Sequence, residues 1–350
     1  MASLLRFDLN QEGLLLFEPS ELLTERLRRR HEAAASMLQA LSASGVGITG
    51  DLAALSFHPA AHGLVAFRQG YLSRQKAEDC VALLSSLDST RLERLREGIP
   101  TVHQCDALLP TVETRGETVS LDSRASGRPD ALDEMLSEVW KIGGDGLVRL
   151  AAIVRVVSLV VVKGMPDLPY FSGSTSDTWG AMHMSMPASP VVLAESLTHE
   201  AAHFWLHLVE EVGEFAPGAW DENEWLSPWR EDPRPIGGII HGVHVFSSAA
   251  LVISQWLQEG ARLPAGVGRE DIEARAAYLV AQVEEGIEEL SRHPGLSETA
   301  LAIAGGSEAR LELLRLRIGV DALSRARIRA SERRAAKICT LRQRGMSFRH

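Results

Sequence analysis

The segment LAESLTHEAAHFWLHLVEE constrains this chain more than any other part of it. Its apolar residues recur at three- and four-residue intervals (Leu197, Ala201, Phe204, Trp205 and Leu208), the pattern of a helix with one face set in a core. Pro187 and Pro190 mark the entry, so the spacing predicts a helix from about Val191 to Glu211. His199 and His203 are four residues apart. On a helix they project from one face, about 40° apart and one turn along the axis. Two imidazoles so placed can reach one ion with bonds of about 2 Å. Glu200 falls at the edge of the same face, where it can meet a metal-bound water. A chain of this composition holds about 0.04 HExxH matches by chance. A metal site is therefore the better reading than two exposed histidines flanking a solvated glutamate.

Composition narrows the class. The chain has 350 residues, enough to bury a full hydrophobic core, and a net charge of −10. That balance argues against a nucleic-acid binder, which needs a basic surface to neutralise phosphates. Cys80, Cys105 and Cys339 are far apart and odd in number, so neither a disulfide framework nor a cysteine zinc site is indicated. The opening MASLLRFDLNQEG reaches acidic residues too early for a signal peptide. The run from Leu150 to Val162 is broken by Arg155 and too short to span a bilayer. The expectation is a soluble cytoplasmic protein without membrane or nucleic-acid partners.

The predicted fold is α+β and predominantly helical. A small sheet packs beside the HExxH helix, with helices N- and C-terminal to it. Helices are expected from Ser20, a plausible N-cap, through about residue 43, then at 74–98 and 129–142. The stretch 111–128 reads as exposed loop. The β-branched run AAIVRVVSLVVVKG predicts a buried strand before Gly164, and TWGAMHMSMP a second one. The proline-rich stretch 212–240 reads as a long irregular segment, of the kind that is functional when it is ordered. Trp220, Trp225 and Trp229 argue for order. Further helices are expected at 245–260, 269–292 and 307–345. The whole is read as one domain, 1–350, in three stretches: helical 1–148, metal-site core 149–260 and helical 261–350. From Asp321 to His350 there are nine basic and two acidic residues, read as a solvated helix face or a docking surface for an acidic peptide.

A third metal ligand is open on spacing alone. His207 continues the four-residue series but lies about 12 Å along the axis from His199, too far for the same ion. His241 and His244, in RPIGGIIHGVHVF, are one candidate group; Glu222 and Glu224, in AWDENEWL, are the other. Arg230 and Arg234, in SPWREDPRP, suit a two-pronged grip on a carboxylate, with a salt bridge to Glu231 or Asp232 as the alternative. His183, between Met182 and Met184, reads as a core or surface histidine, and His58, His62 and His103 as structural ones. The sequence contains no GxGxxG before a helix, no P-loop and no GxSxG.

Taken in order, GAMHMSMP, LAESLTHEAAHFWLHL and SPWREDPRPIGGIIHGVHVF resemble the HExxH-motif peptide-modification family, closely over roughly residues 178–260. Its members stand beside or within enzymes that tailor ribosomally made peptides, and some are iron- and 2-oxoglutarate-dependent peptide β-hydroxylases. The resemblance implies that His199 and His203 hold Fe(II), with His241 as third ligand. Three histidines depart from the usual two-His, one-carboxylate set of non-haem iron oxygenases, so an acidic ligand also remains open. Under this resemblance 2-oxoglutarate and O₂ are co-substrates and a precursor peptide is hydroxylated at a side-chain β-carbon. Arg234 or Arg230 would grip the distal carboxylate of 2-oxoglutarate, an inference from chemistry rather than from the motif. Glu200 would orient a ligand or water rather than act as a base. The alternative is a zinc metallopeptidase in which Glu200 is the general base and the segment 179–186 is an edge strand pairing with an extended peptide.

Overall fold

The computed structural model describes residues 5–9, 15–19, 21–46, 48, 51–69, 73–103, 112–114, 117–119, 121–122, 128–162 and 170–349. Ser20, Cys105, Gly164 and half of the stretch 111–128 lie outside them; eight of the nine described residues of that stretch form short strands rather than the expected loop. The fold is α+β and 65% helical, with twelve α-helices and a mixed four-stranded sheet among the described residues. A hairpin of β1 (Leu5–Leu9) and β2 (Leu15–Pro19) precedes α1 (Glu21–Ala43). Next come α2 (Leu52–Leu55), α3 (Pro59–Arg68), α4 (Arg74–Ser85) and α5 (Ser89–Glu97). Strands β3 (Thr101–His103), β4 (Val112–Thr114), β5 (Glu117–Val119) and β6 (Leu121–Asp122) lead to α6 (Pro129–Ile142) and α7 (Gly144–Ala151). Four strands follow: β7 (Val156–Leu159), β8 (Val161–Val162), β9 (Ser172–Ser174) and β10 (Ala181–Met184). The chain then runs through α8 (Pro190–Glu210), α9 (Ile236–Ser254), α10 (Arg269–Ser291), α11 (Glu298–Arg317) and α12 (Val320–Gln343).

The chain groups into two compact units. One comprises residues 1–20, 142–147 and 205–350; the other, residues 21–141 and 148–204. The division falls within α8, between Phe204 and Trp205. The C-terminal helices belong with α9 because they cover its apolar surface: α9 packs on α10 and α11, and α12 on α10.

The unit of residues 21–141 and 148–204 is built around a sheet in the order β3-β7-β10-β9. The first three strands are mutually parallel, and β9 is an antiparallel edge. This corrects one expectation. The segment around Ala181–Met184 is not an edge strand; β7 and β9 occupy both of its sides. Val156 and Ala181 join a core with Leu38, Leu55, Leu64 and Leu84 from the flanking helices. One row across the sheet is polar: His103, Ser158 and His183 are register partners on adjacent strands, and all three are buried.

In the other unit α9 is buried along nearly all of its length. The span Ile236–Leu257 is long and apolar enough to cross a membrane, and 89% of its apolar window is buried within the fold, as in a core helix. The sequence placed the start of this helix near 245; it begins at Ile236. Gly237 and Gly242 serve close packing. A Cβ at Gly242 would overlap the Trp229 ring, and one on Gly286 of α10 would stand 2.6 Å from it. Trp229 wedges against both helices and stacks on Phe246 with centroids 5.0 Å apart. Gly242→Ala is therefore expected to cost about 3 kcal/mol through overpacking; a lowered urea midpoint with an unchanged m-value checks this.

Two expected long helices are each interrupted. Asp88 stops the 74–98 helix by capping α5, its carboxylate accepting from the Arg91 amide. Ile318 takes an extended conformation that separates α11 from α12. Part of the basic stretch of α12 is engaged within the fold. Arg327 binds Glu284, Arg334 binds the buried Glu289, Arg333 binds Glu231, and the Lys337 ammonium donates to the Ser227 carbonyl.

Candidate metal centre

Helix α8 is closed off along most of its surface. Of its residues Pro190–Glu210, only Val192, His199, His203, His207 and Glu210 are part-exposed; every other one is buried. These five lie at intervals of seven, four, four and three, which on a 3.6-residue helix traces a single stripe. The open stripe of an otherwise buried helix thus carries three histidines and a glutamate.

In the unit that holds His199 and His203, their Nε2 atoms are 3.1 Å apart. Two nitrogens bound to one ion at about 2.1 Å stand about 3.0 to 3.4 Å apart for angles between octahedral and tetrahedral. The pair fits a single first-row cation. Glu200 is 2% exposed and fastened from the edge strand: the hydroxyls of Ser172 and Ser174 donate to its two carboxylate oxygens at 2.8 and 2.7 Å. β9 thus holds the glutamate through residues one pleat apart on the same face. Tyr170 and Ser196 are joined at 2.7 Å, and Trp179 packs on Phe204 with centroids 5.0 Å apart.

The expected third ligand, His241, is buried in α9 of the other unit, among residues that its sequence neighbours do not reveal. Its Nε2 stands 3.4 Å from Glu210 Oε1, and its ring lies 5.5 Å from that of His207, 5.8 Å from Phe215 and 5.3 Å from Trp220. Glu210 also meets His207 Nδ1 at 3.1 Å, and the Trp220 indole donates to it at 3.0 Å. Burial alone would raise the Glu210 carboxyl, but hydrogen bonds from His207 and His241 outweigh it and hold the group at about 2. Burial pushes the His241 ring below its ordinary value, with Glu210 opposing. Glu210 escaped the reading of the sequence; its one signal was the three-residue step from His207.

His244 is buried against Arg310, whose guanidinium also donates to Ser247. Glu224 pairs with Arg349 at 2.6 Å, and Glu222 is exposed. Arg230 and Arg234 both face Asp232, at 3.9 and 3.3 Å, all three substantially exposed. His58, His62, His103 and His183 are buried, His58 capping α3 through Nδ1. No protein-family model and no curated protein sequence matches this chain.

Proposed function

We propose that this chain is an Fe(II)- and 2-oxoglutarate-dependent oxygenase that hydroxylates a side-chain β-carbon of a ribosomally made precursor peptide. The observation that supports its metal is the His199–His203 pair, two imidazole nitrogens 3.1 Å apart on the open stripe of α8. When bound, iron together with 2-oxoglutarate and O₂ supplies the oxidant, one oxygen atom going to the peptide and the other to succinate as CO₂ leaves. For the third position the resemblance points to His241. That side chain is engaged with Glu210, so the reading rests on the His199–His203 pair alone.

The surroundings of Glu200 favour this chemistry over its rival. In a zinc peptidase it must take a proton from the attacking water. Here each carboxylate oxygen already accepts a serine hydroxyl, which suits a fixed orienting group. A peptide substrate is supported by β9: among the described residues its only partner strand is β10, and an extended chain can add to the other side.

The test begins without oxygen. Fe(II)-loaded protein is expected to develop a visible charge-transfer band on addition of 2-oxoglutarate, and to release succinate once O₂ is admitted. Glu200→Gln should keep the band. Zinc-dependent cleavage of an unstructured protein, lost in Glu200→Gln and indifferent to 2-oxoglutarate, would overturn the reading in favour of the peptidase.

A further inference from the structure

A second group of potential ligands lies wholly within the unit of residues 1–20, 142–147 and 205–350. The last turn of α8 presents His207 and Glu210 three residues apart, on neighbouring positions of one face. The buried middle of α9 presents His241. The ligand atoms of these three residues all lie within 4.8 Å of one another, and no other group of three or more His, Cys, Asp or Glu side chains among the described residues comes so close. His207 Nδ1 stands 3.1 Å from Glu210 Oε2, the spacing of donors that share one ion at about 2.0 to 2.2 Å, and His241 Nε2 stands 3.4 Å from the other oxygen, Oε1. Trp220 supplies what ligating carboxylates usually have, an outer hydrogen bond: its indole donates to Oε1 at 3.0 Å and leaves lone pairs on Oε2 available. Gly237 makes room for that indole, since a Cβ there would stand 2.7 Å from the Trp220 ring.

The geometry points to a second divalent-cation site, formed by His207 Nδ1, the Glu210 carboxylate and His241 Nε2. Two imidazoles and one carboxylate suit a borderline first-row cation, Zn(II), Fe(II) or Co(II), rather than Mg(II) or Ca(II), which favour all-oxygen sets. Three protein donors leave at least one coordination position for water or another small ligand. The ion would tie the end of α8 to the middle of α9, and through Trp220 would order the segment between them. The inference uses neither His199, Glu200 nor His203; it assigns to this site His241, which the resemblance offers to the proposed oxygenase as third ligand.

Co(II) titration of the full chain tests the site, followed by its ligand-field absorption and by the metal retained after gel filtration. Wild-type protein is expected to hold two equivalents. Glu210→Gln and His207→Ala should each hold one, and Trp220→Phe should bind the second about 10- to 100-fold more weakly. His199→Ala and His203→Ala should lose the other equivalent and keep this one. His241→Ala should behave like Glu210→Gln. Metal-free melting curves show whether a variant has simply failed to fold, and His207→Gln stands in if His207→Ala has. Two equivalents retained by Glu210→Gln, or a single wild-type equivalent lost only with His199 or His203, overturns the inference. A single equivalent that Glu210→Gln removes and His199→Ala spares upholds it and defeats the proposed function at its metal pair.

Discussion

Replacing His203 by alanine is expected to remove the cation held by the His199–His203 pair and, with it, all Fe(II)-dependent succinate release. A single imidazole on a part-exposed helix cannot hold a first-row ion against water and buffer. Loss of a mere outer-shell partner already weakens metal sites about 10- to 100-fold, so loss of one of two paired ligands should exceed 100-fold. The fold should survive. His203 lies on the open stripe of α8, and alanine is the best helix former. The variant is therefore expected to melt like wild type when both are metal-free, and below it when Fe(II) is present, by mass action on the folded state. His199→Ala should do the same. Dialysed protein assayed for bound metal, succinate and melting temperature gives the answer, and a His203→Ala protein that still releases succinate at the wild-type rate would defeat the proposed function.

Acid should unfold the unit of residues 21–141 and 148–204 well above the pH at which carboxylates usually fail. His31 and His103 are both held at about 4 against an ordinary 6.5, in each case chiefly by burial. Burial also pushes His58 and His62 well below the ordinary value. The folded protein therefore keeps these rings neutral while the unfolded chain takes up protons near pH 6.5. Their contribution to stability is complete above about pH 7 and is lost as the pH falls from 6.5 through 4. A displacement from 6.5 to about 4 corresponds to about 3 kcal/mol for each of His31 and His103. Two such losses are comparable with the about 5–15 kcal/mol that holds a whole domain together.

The surroundings reinforce this direction. His31 packs on the rings of Phe57 and His62, with Arg30 and Arg155 adding repulsion once it is charged. His103 meets the His58 ring edge-on and hydrogen-bonds Thr101; Arg91 and Arg94 oppose its charging, while Asp88 favours it. Circular dichroism between pH 7.5 and 4 should show a cooperative loss of helix with its midpoint between 5 and 6. His103→Gln, which cannot take up a proton, should move that midpoint down. Helix content unchanged to pH 4 would mean that these rings are not buried as described.

Much of the fold was legible because its signals are local. The periodic apolar residues of α1, α6, α8 and α10 needed no distant partner to be recognised, and neither did the β-branched run that became β7. The start of α9 was illegible because Gly237 and Gly242 look like helix breakers until Trp220 and Trp229 are seen filling the space they leave. The edge of the sheet was misassigned because strand order is a long-range property: nothing within GAMHMSMP says that β9 will add outside it.

The same distinction holds at the metal centre. Sequence alone determined that His199 and His203 share a face of one helix, because four residues are about one turn of any α-helix and no tertiary contact can change that. It also determined that Glu200 stands beside them. Only the tertiary structure decided what surrounds these groups. It left the histidine stripe as the open side of α8, fastened Glu200 with Ser172 and Ser174, and brought His241 to Glu210 across about thirty intervening residues. Spacing along a helix fixes direction, whereas partners from different elements meet only through packing, which depends on the shape of every side chain between them.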